Sequence, residues 1–401
     1  MKRNDFYSII TKEKLAAIAR SAESPCYLYF PDIIRRQVKR VDQCLGARFT
    51  MLYAVKANPH PTILRTMAQL NLGADAASKG ELQAALKAGI PASKIEFSGP
   101  GKTKDELLDA LSRNIGAVNV ESPEELRLIV QLSQEHDLRP HVGLRINPQS
   151  KIPCGLSMAG ASQFGIPVKQ VESQIDWIRS QFESVQFSGV HAHLGSQVLD
   201  AGAMAESVSL IVDLALHIEY LLGKPLQKIN VGGGWGIDYF SHQEKLDLEF
   251  LSSRLQNVLN SPRLKTIELK IEPGRFLVAE SGVYATRVLY TKQNQNRFYA
   301  IVDGGMHQNY LLAGGMGQVI KRNFEMDILP QTDQKPCPKY SLTVAGKLCT
   351  PQDVLADQIP CDVRISPGDS IVFFNSGAYG LTASPIHFLS HDKPAEIFYE
   401  A

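Results

Sequence analysis

Lys56 stands in Tyr53-Ala54-Val55-Lys56-Ala57-Asn58, where an apolar run leads into a single amine. Burial disfavours an ammonium ion, and an amine so treated becomes a nucleophile able to form a Schiff base. Taken alone, such a lysine is more readily a cation snorkelling from a strand end than a catalytic amine. Gly232-Gly233-Gly234 directly follows Ile229-Asn230-Val231. Consecutive glycines leave backbone N–H groups exposed with no side chain in the way, the geometry that cradles a phosphate. A tight turn at positive φ asks for the same residues. Glu272-Pro273-Gly274-Arg275 adds a carboxylate and a guanidinium, and His191-Ala192-His193-Leu194-Gly195-Ser196 adds imidazoles and a hydroxyl. The six cysteines (Cys26, Cys44, Cys154, Cys337, Cys349 and Cys361) lie far apart without a C-x-x-C pair. Neither a zinc site nor a disulfide framework is signalled.

These groups need a scaffold that gathers them from distant segments. At 401 residues the chain exceeds the common single-domain size. Short β-rich runs at 49–56, 73–78, 95–99, 117–121, 141–147, 189–195, 228–233 and 268–274 alternate with helical patterns such as 79–88, 104–113, 123–133 and 201–222. Eight β/α units predict a (β/α)8 TIM barrel; an open doubly wound sheet is the competitor, but no G-x-G-x-x-G follows the first strand. After Arg275 the pattern turns to β alternation at 283–290, 298–303, 340–344, 370–374 and 396–399. The expected organisation is a barrel over 29–278 and a mostly-β domain formed by 1–28 and 279–401. Basic and acidic residues number 42 and 41, a net charge of +1 with no charged block, so neither nucleic acid nor anionic lipid is an expected partner. No apolar run approaches the roughly 20 residues that cross a bilayer, and a cytoplasmic location is expected.

In a TIM barrel the active site lies at the C-terminal strand ends. Lys56, Arg145, His193, Ser196, Gly232 to Gly234, Glu272 and Arg275 would therefore share one ring. The turn after strand seven is a usual phosphate site of such barrels. A phosphate cradle, a Schiff-base lysine and a carboxylate that can pair with a pyridinium nitrogen together meet the requirements of pyridoxal 5'-phosphate.

At this point the residues carry a resemblance. Tyr53 to Asn58, Asp75-Ala76-Ala77-Ser78-Lys79-Gly80-Glu81-Leu82, His193-Leu194-Gly195-Ser196-Gln197, the triple glycine, Glu272 to Arg275 and Gly377-Ala378-Tyr379-Gly380 resemble the fold-type III pyridoxal-phosphate decarboxylases, which include the diaminopimelate, ornithine and arginine decarboxylases. The resemblance implies a homodimer of an alanine-racemase-type barrel and a β domain, each active site being completed by the partner. It implies that Lys56 carries the cofactor, Glu272 meets the pyridine nitrogen and His193 stacks on the ring. Ser196, Gly232, Gly233, Gly234, Gly274, Arg275 and Tyr379 would hold the phosphate, with Asp75 and Arg145 lining the cofactor. Cys349, in Leu348-Cys349-Thr350-Pro351-Gln352-Asp353, matches a cysteine supplied in trans that helps reprotonate the α-carbon. Arg275, Thr350, Asp353 and Tyr379 are the expected substrate contacts.

One departure bears on the substrate. In decarboxylases of basic amino acids the residue after that cysteine is acidic and reads a distal ammonium; here it is Thr350. A cation held there without its carboxylate would lose a charge-assisted contact of roughly 1.5–3 kcal/mol. The 349–354 run, Gly317 to Asn323 and Ser376 to Pro385 instead resemble a subgroup that includes a decarboxylase of glutamate tethered to an acyl carrier protein and decarboxylases accompanying exosortase and siderophore gene clusters. The implied activity is α-decarboxylation of an amino acid with a non-basic or carrier-linked side chain, with an acyl carrier protein as a possible partner and Lys321 and Arg322 as candidate contacts for it. The alternatives are a diaminopimelate decarboxylase, an amino-acid racemase on the same fold, and a catalytically dead binding protein.

Overall fold

The structure, a computed structural model, describes residues 2–148, 156–240, 245–315, 318, 321–332 and 336–400. Cys154 and the positions Gly317, Val319 and Ile320 lie outside the described residues. The chain divides into two compact units, one of Arg35–Gly236 and Lys245–Phe276, the other of Met1–Ile34, Ile237–Glu244 and Leu277–Ala401.

The first unit is a closed parallel barrel. Its strands are Phe49–Ala54, Gly73–Ala76, Ile95–Phe97, Ala117–Val120, His141–Asn147, Gln186–His191, Lys228–Gly233 and Glu268–Glu272. Each pairs with the next, and Leu269 against Phe49 closes the ring. The expected eight β/α units are therefore present. Polar caps start the outer helices: Ser78 accepts the Glu81 N–H, Thr103 and Glu106 form a capping box, and Ser122, Asp200 and Asp247 cap three more. Ala201–Leu222, at 22 residues, is long and apolar enough by composition to cross a membrane. That differs from the sequence expectation because Glu206, Asp213 and Glu219 interrupt the run. Met204, Val208, Ile211, Val212 and Ile218 are nonetheless buried in the outer layer of this unit.

The second unit is built on one mixed sheet in the order Met326–Leu329, Ser370–Phe373, Gly282–Asn294, Arg297–Val302, Pro336–Ala345, Val354–Val363. Cys26–Tyr29 pairs antiparallel with Gly282–Asn294 and parallel with Ala395–Phe398, so the N-terminal strand joins this sheet. Phe6, Leu15, Leu28, Phe30, Val372 and Phe374 pack its core. Two strands escape the sequence pattern. Met326–Leu329 is short, and Val354–Val363 carries Pro360, which is tolerated because this strand ends the ladder.

Candidate active site

The barrel's C-terminal strand ends gather most of the expected residues. Strand one stops at Ala54, and Val55–Ala57 forms one 3₁₀ turn closed by the Asn58 N–H on Val55 O. Lys56 therefore follows the strand instead of closing it, and its side chain is 45% exposed. Burial by the protein is thus not what would make this amine a nucleophile, a correction to the sequence reading. Its Nζ lies 3.9 Å from Oδ2 of the buried Asp75. Gly274 explains the approach of strand eight: a Cβ there would meet Ala54 Cβ at 2.7 Å and Ala57 Cβ at 3.3 Å. Only glycine lets Glu272 end beside the Lys56 turn.

Asp75 and Glu272 form a buried carboxylate pair with opposite tendencies. Burial, then the neighbouring Glu272 charge, push Asp75 up. Burial works against ionised Glu272 as well, but His191 and then Lys56 outweigh it and hold it down. A His191 ring nitrogen stands 3.4 Å from Glu272 Oε1. Of the two carboxylates, Glu272 keeps its charge and Asp75 more readily holds a proton, the usual division when like charges share a site.

His193 follows strand six, and its Nδ1 accepts the Gly233 N–H at 3.0 Å. That bond leaves Nε2 as the protonated atom of a neutral ring. Burial first, then Lys56, push the imidazole down to about 3. Gly232 and Gly234 have φ of 73° and 89°, and Cβ atoms at Gly233 and Gly234 would meet Glu272 O and Gly195 O at 2.1 Å. The glycines thus serve both close backbone approach and a left-handed turn. The Gly232 N–H is taken by Asn230 Oδ1 at 2.9 Å and the Gly233 N–H by His193. Two of the three N–H groups are engaged inside the protein, a difference from three freely presented donors. Ser196 is positioned by a short antiparallel pairing with Leu156, and Arg275 by the helix Gly274–Val278. Arg145 is buried against Glu121 at 2.6 Å and stacks on Phe164.

In the second unit, Tyr379 takes a φ of 59°, an unusual conformation for an aromatic residue and one that concentrates at functional sites. Cys349 is exposed and Thr350 half-buried on the turn after Pro336–Ala345. Asp353, expected to contact substrate, is buried, and its carboxylate accepts the Met306 and Leu348 N–H groups at 2.7 and 2.9 Å. It holds the turn that presents Cys349 and Thr350. Lys321 donates to Val354 O, and Arg322 lies over the Phe240 ring.

Sequence reasoning missed Glu121, which pins Arg145, and a set of polar residues inside the barrel: Glu96, Asn119, Lys228, Asn230 and Lys270. The signal was present in Lys228-Ile229-Asn230-Val231 and Glu268-Leu269-Lys270-Ile271-Glu272, whose polar residues alternate and so share one face of each strand.

The barrel residues fit pyridoxal phosphate. Asp75 Oδ1 is buried with no hydrogen-bond partner among the described residues, Glu272 supplies an ionised carboxylate, and Lys56 supplies a half-exposed amine 3.9 Å from Asp75 Oδ2. Comparison with known proteins agrees. Residues 32–279 match the family model for the pyridoxal-dependent decarboxylases, pyridoxal binding domain. The chain is 34% identical over 394 residues, 97% of itself and 91% of the relative, to the L-glutamyl-(BtrI acyl-carrier protein) decarboxylase of Niallia circulans. It is 33% identical over 380 residues, 93% of each chain, to the 2-((L-alanin-3-ylcarbamoyl)methyl)-2-hydroxybutanedioate decarboxylase of Staphylococcus aureus. Among solved structures, the diaminopimelate decarboxylase of Helicobacter pylori in complex with L-lysine matches with a TM-score of 0.84 and 30% identity, over 96% of this chain and 94% of that one. With the closed barrel, the β sheet and this family match together, the chain belongs to the pyridoxal-dependent decarboxylases, lyases that use pyridoxal phosphate.

Proposed function

We propose that this decarboxylase acts as a homodimer on an amino acid whose side chain is acidic or carrier-linked, and that diaminopimelate and ornithine are poor substrates. The observation that carries the reading is the surroundings of Thr350. It lines a concavity of about 920 Å³ together with Lys292, Arg297, Lys321 and Lys347. Of the acidic residues there, Asp353 is engaged by backbone N–H groups and Asp357 lies 3.6 Å from Arg297. Positive charge is left in surplus, which favours a carboxylate or phosphate and repels a distal ammonium. Two relatives are named for a carrier-linked glutamyl group and for a hydroxybutanedioate, both compatible with such a lining.

Bound pyridoxal phosphate supplies the electron sink for the carbanion left when CO₂ departs. In this reading Lys56 holds the cofactor covalently, Glu272 faces its ring nitrogen as an ionised carboxylate, and neutral His193 covers the ring face. Ser196, the Gly232 to Gly234 turn, Gly274, Arg275 and Tyr379 bind the phosphate, while Asp75 and Arg145 line the remaining edge. The Cys349 thiol of the partner subunit delivers a proton to the α-carbon, and Asp353 holds the turn that presents it. A glutamate at the ring nitrogen keeps that nitrogen protonated and favours decarboxylation over racemisation.

The test is CO₂ release by the holoenzyme from glutamate, its carrier thioester, diaminopimelate and ornithine. Release from glutamate or its thioester is expected. A second reading, diaminopimelate decarboxylase, draws on the likeness to the Helicobacter enzyme, and rapid release from diaminopimelate alone would establish it.

A further inference from the structure

The interiors of (β/α)8 barrels are usually filled by layers of branched aliphatic side chains. This one carries a chain of charges and amides from the N-terminal to the C-terminal strand ends. Lys228 and Lys270 place their ammoniums 3.3 and 3.1 Å from Glu96 Oε1. Asn119 and Asn230 donate to Glu96 Oε2 at 2.9 and 3.0 Å. Asn230 Nδ2 also donates to Glu272 Oε1 at 2.8 Å, and Asn230 Oδ1 accepts the Gly232 N–H at 2.9 Å. All six side chains are buried.

The chemistry of the neighbours fixes the orientation of the Asn230 amide. Ionised Glu96 and Glu272 only accept, so both face the Nδ2 hydrogens; Gly232 N–H only donates, so it faces Oδ1. A flipped amide would lose all three bonds. Glu96 is itself dependable as an acceptor. Burial opposes its charge, but Lys228 and Lys270 outweigh that and hold it below the usual carboxylate range.

Asn230 also sits at a break in the ladder. Strands seven and eight pair as Asn230 with Lys270 and then as Gly233 with Glu272, a bulge with one extra residue on strand seven. Such a bulge leaves an N–H unpaired and bends the strand, and bulges recur beside active sites. Here the Asn230 side chain takes the Gly232 N–H within the bulge while gripping the Glu272 carboxylate beside it. One amide therefore ties the expected phosphate turn to the expected partner of the ring nitrogen.

We propose that Asn230, oriented by Glu96 with Lys228 and Lys270, is a positioning residue that fixes Glu272 and the Gly232 to Gly234 turn to each other in the geometry that binds pyridoxal phosphate. The inference rests on the assignment of Glu272 and the glycine turn to the cofactor. It assigns Asn230 no contact with the reacting atoms.

A double-mutant cycle on cofactor affinity tests it. Apoprotein is prepared from wild type, Asn230→Leu, Glu272→Gln and the double variant, and each is titrated with pyridoxal phosphate while absorbance is followed. Asn230→Leu is expected to raise Kd about tenfold or more in the wild-type background and threefold or less beside Glu272→Gln, because the amide's charged target is already gone. A loss of barrel packing alone would raise Kd by the same factor in both backgrounds, and that result overturns the proposal while leaving the role of Glu272 intact. If Glu272→Gln alone changes neither Kd nor the absorbance of bound cofactor, the assignment of Glu272 fails instead. Asn230→Ser, too short to reach both carboxylates, is carried through the same cycle, so that misfolding of the leucine variant does not decide the matter.

Discussion

Glu121 clasps Arg145 at 2.6 Å with both side chains buried, and the same carboxylate accepts the N–H groups of Gly99 at 2.7 Å and Gly165 at 3.0 Å. Three strand-end segments of the barrel therefore share one anion. Removing one partner of a buried ion pair leaves the other charge uncompensated, at a cost of about 3–5 kcal/mol. Glu121→Ala is expected to destabilise the apoprotein by about that amount in urea denaturation, and Glu121→Gln by less because an acceptor oxygen remains for Gly99. A loss below about 1 kcal/mol for Glu121→Ala would mean that Arg145 finds another anion.

Lys56 separates function from stability in the opposite way. Its side chain is 45% exposed, with Nζ 3.9 Å from Asp75 Oδ2, so truncation opens no buried cavity. Lys56→Ala is expected to leave the thermal midpoint of the apoprotein within a few degrees of wild type. It should abolish CO₂ release and remove the long-wavelength absorbance of covalently held cofactor. Retention of that absorbance would show a different lysine at work.

The contrast between these two residues shows what the sequence made legible. The barrel strands could be counted because apolar β runs alternate with capped helices, and Lys56, Glu272 and the triple glycine stood out as strand-end residues. Glu121 was hidden because its importance lies in the N–H groups of Gly99 and Gly165, contacts that no local pattern encodes. Asn230 was hidden for a related reason: beside Ile229 and Val231 it reads as one polar residue in an apolar strand, and only barrel closure brings Glu96 from strand three to meet it. Asp353 misled because its neighbours in sequence belong to the exposed turn, whereas its carboxylate points beneath that turn to Met306.

Thr350 offers a substrate switch. If the hydroxyl at this position is what withholds a counter-ion from a distal ammonium, Thr350→Glu restores a charge-assisted contact of roughly 1.5–3 kcal/mol. The ratio of kcat/KM for diaminopimelate over glutamate is expected to rise by about tenfold or more. The measurement is CO₂ release from the two substrates under identical conditions. An unchanged ratio would place side-chain recognition elsewhere.

His307 predicts how stability responds to acid. Its ring is fully buried, neither ring nitrogen has a hydrogen-bond partner among the described residues, and the His391 ring lies 5.2 Å away. Burial first, then His391 and Lys347, push it down to about 4, although the Asp353 carboxylate stands on the same side of Gly305 as the ring: a Cβ there would meet Asp353 Oδ1 at 2.9 Å and His307 Nδ1 at 3.0 Å. An unfolded histidine titrates near ~6.5. The native state therefore binds this proton less readily than the unfolded chain does. Its contribution to stability is full above about pH 6.5 and is lost as pH falls towards about 4. His307→Leu keeps an apolar side chain in place and does not titrate, while His193, shifted in the same direction, remains in both proteins. Thermal midpoints of the two apoproteins, recorded from pH 7.5 to 4.5, should show wild type losing ground to the variant as the pH falls. A gap that stays constant across that range would mean that the ring is protonated equally in the folded and unfolded states.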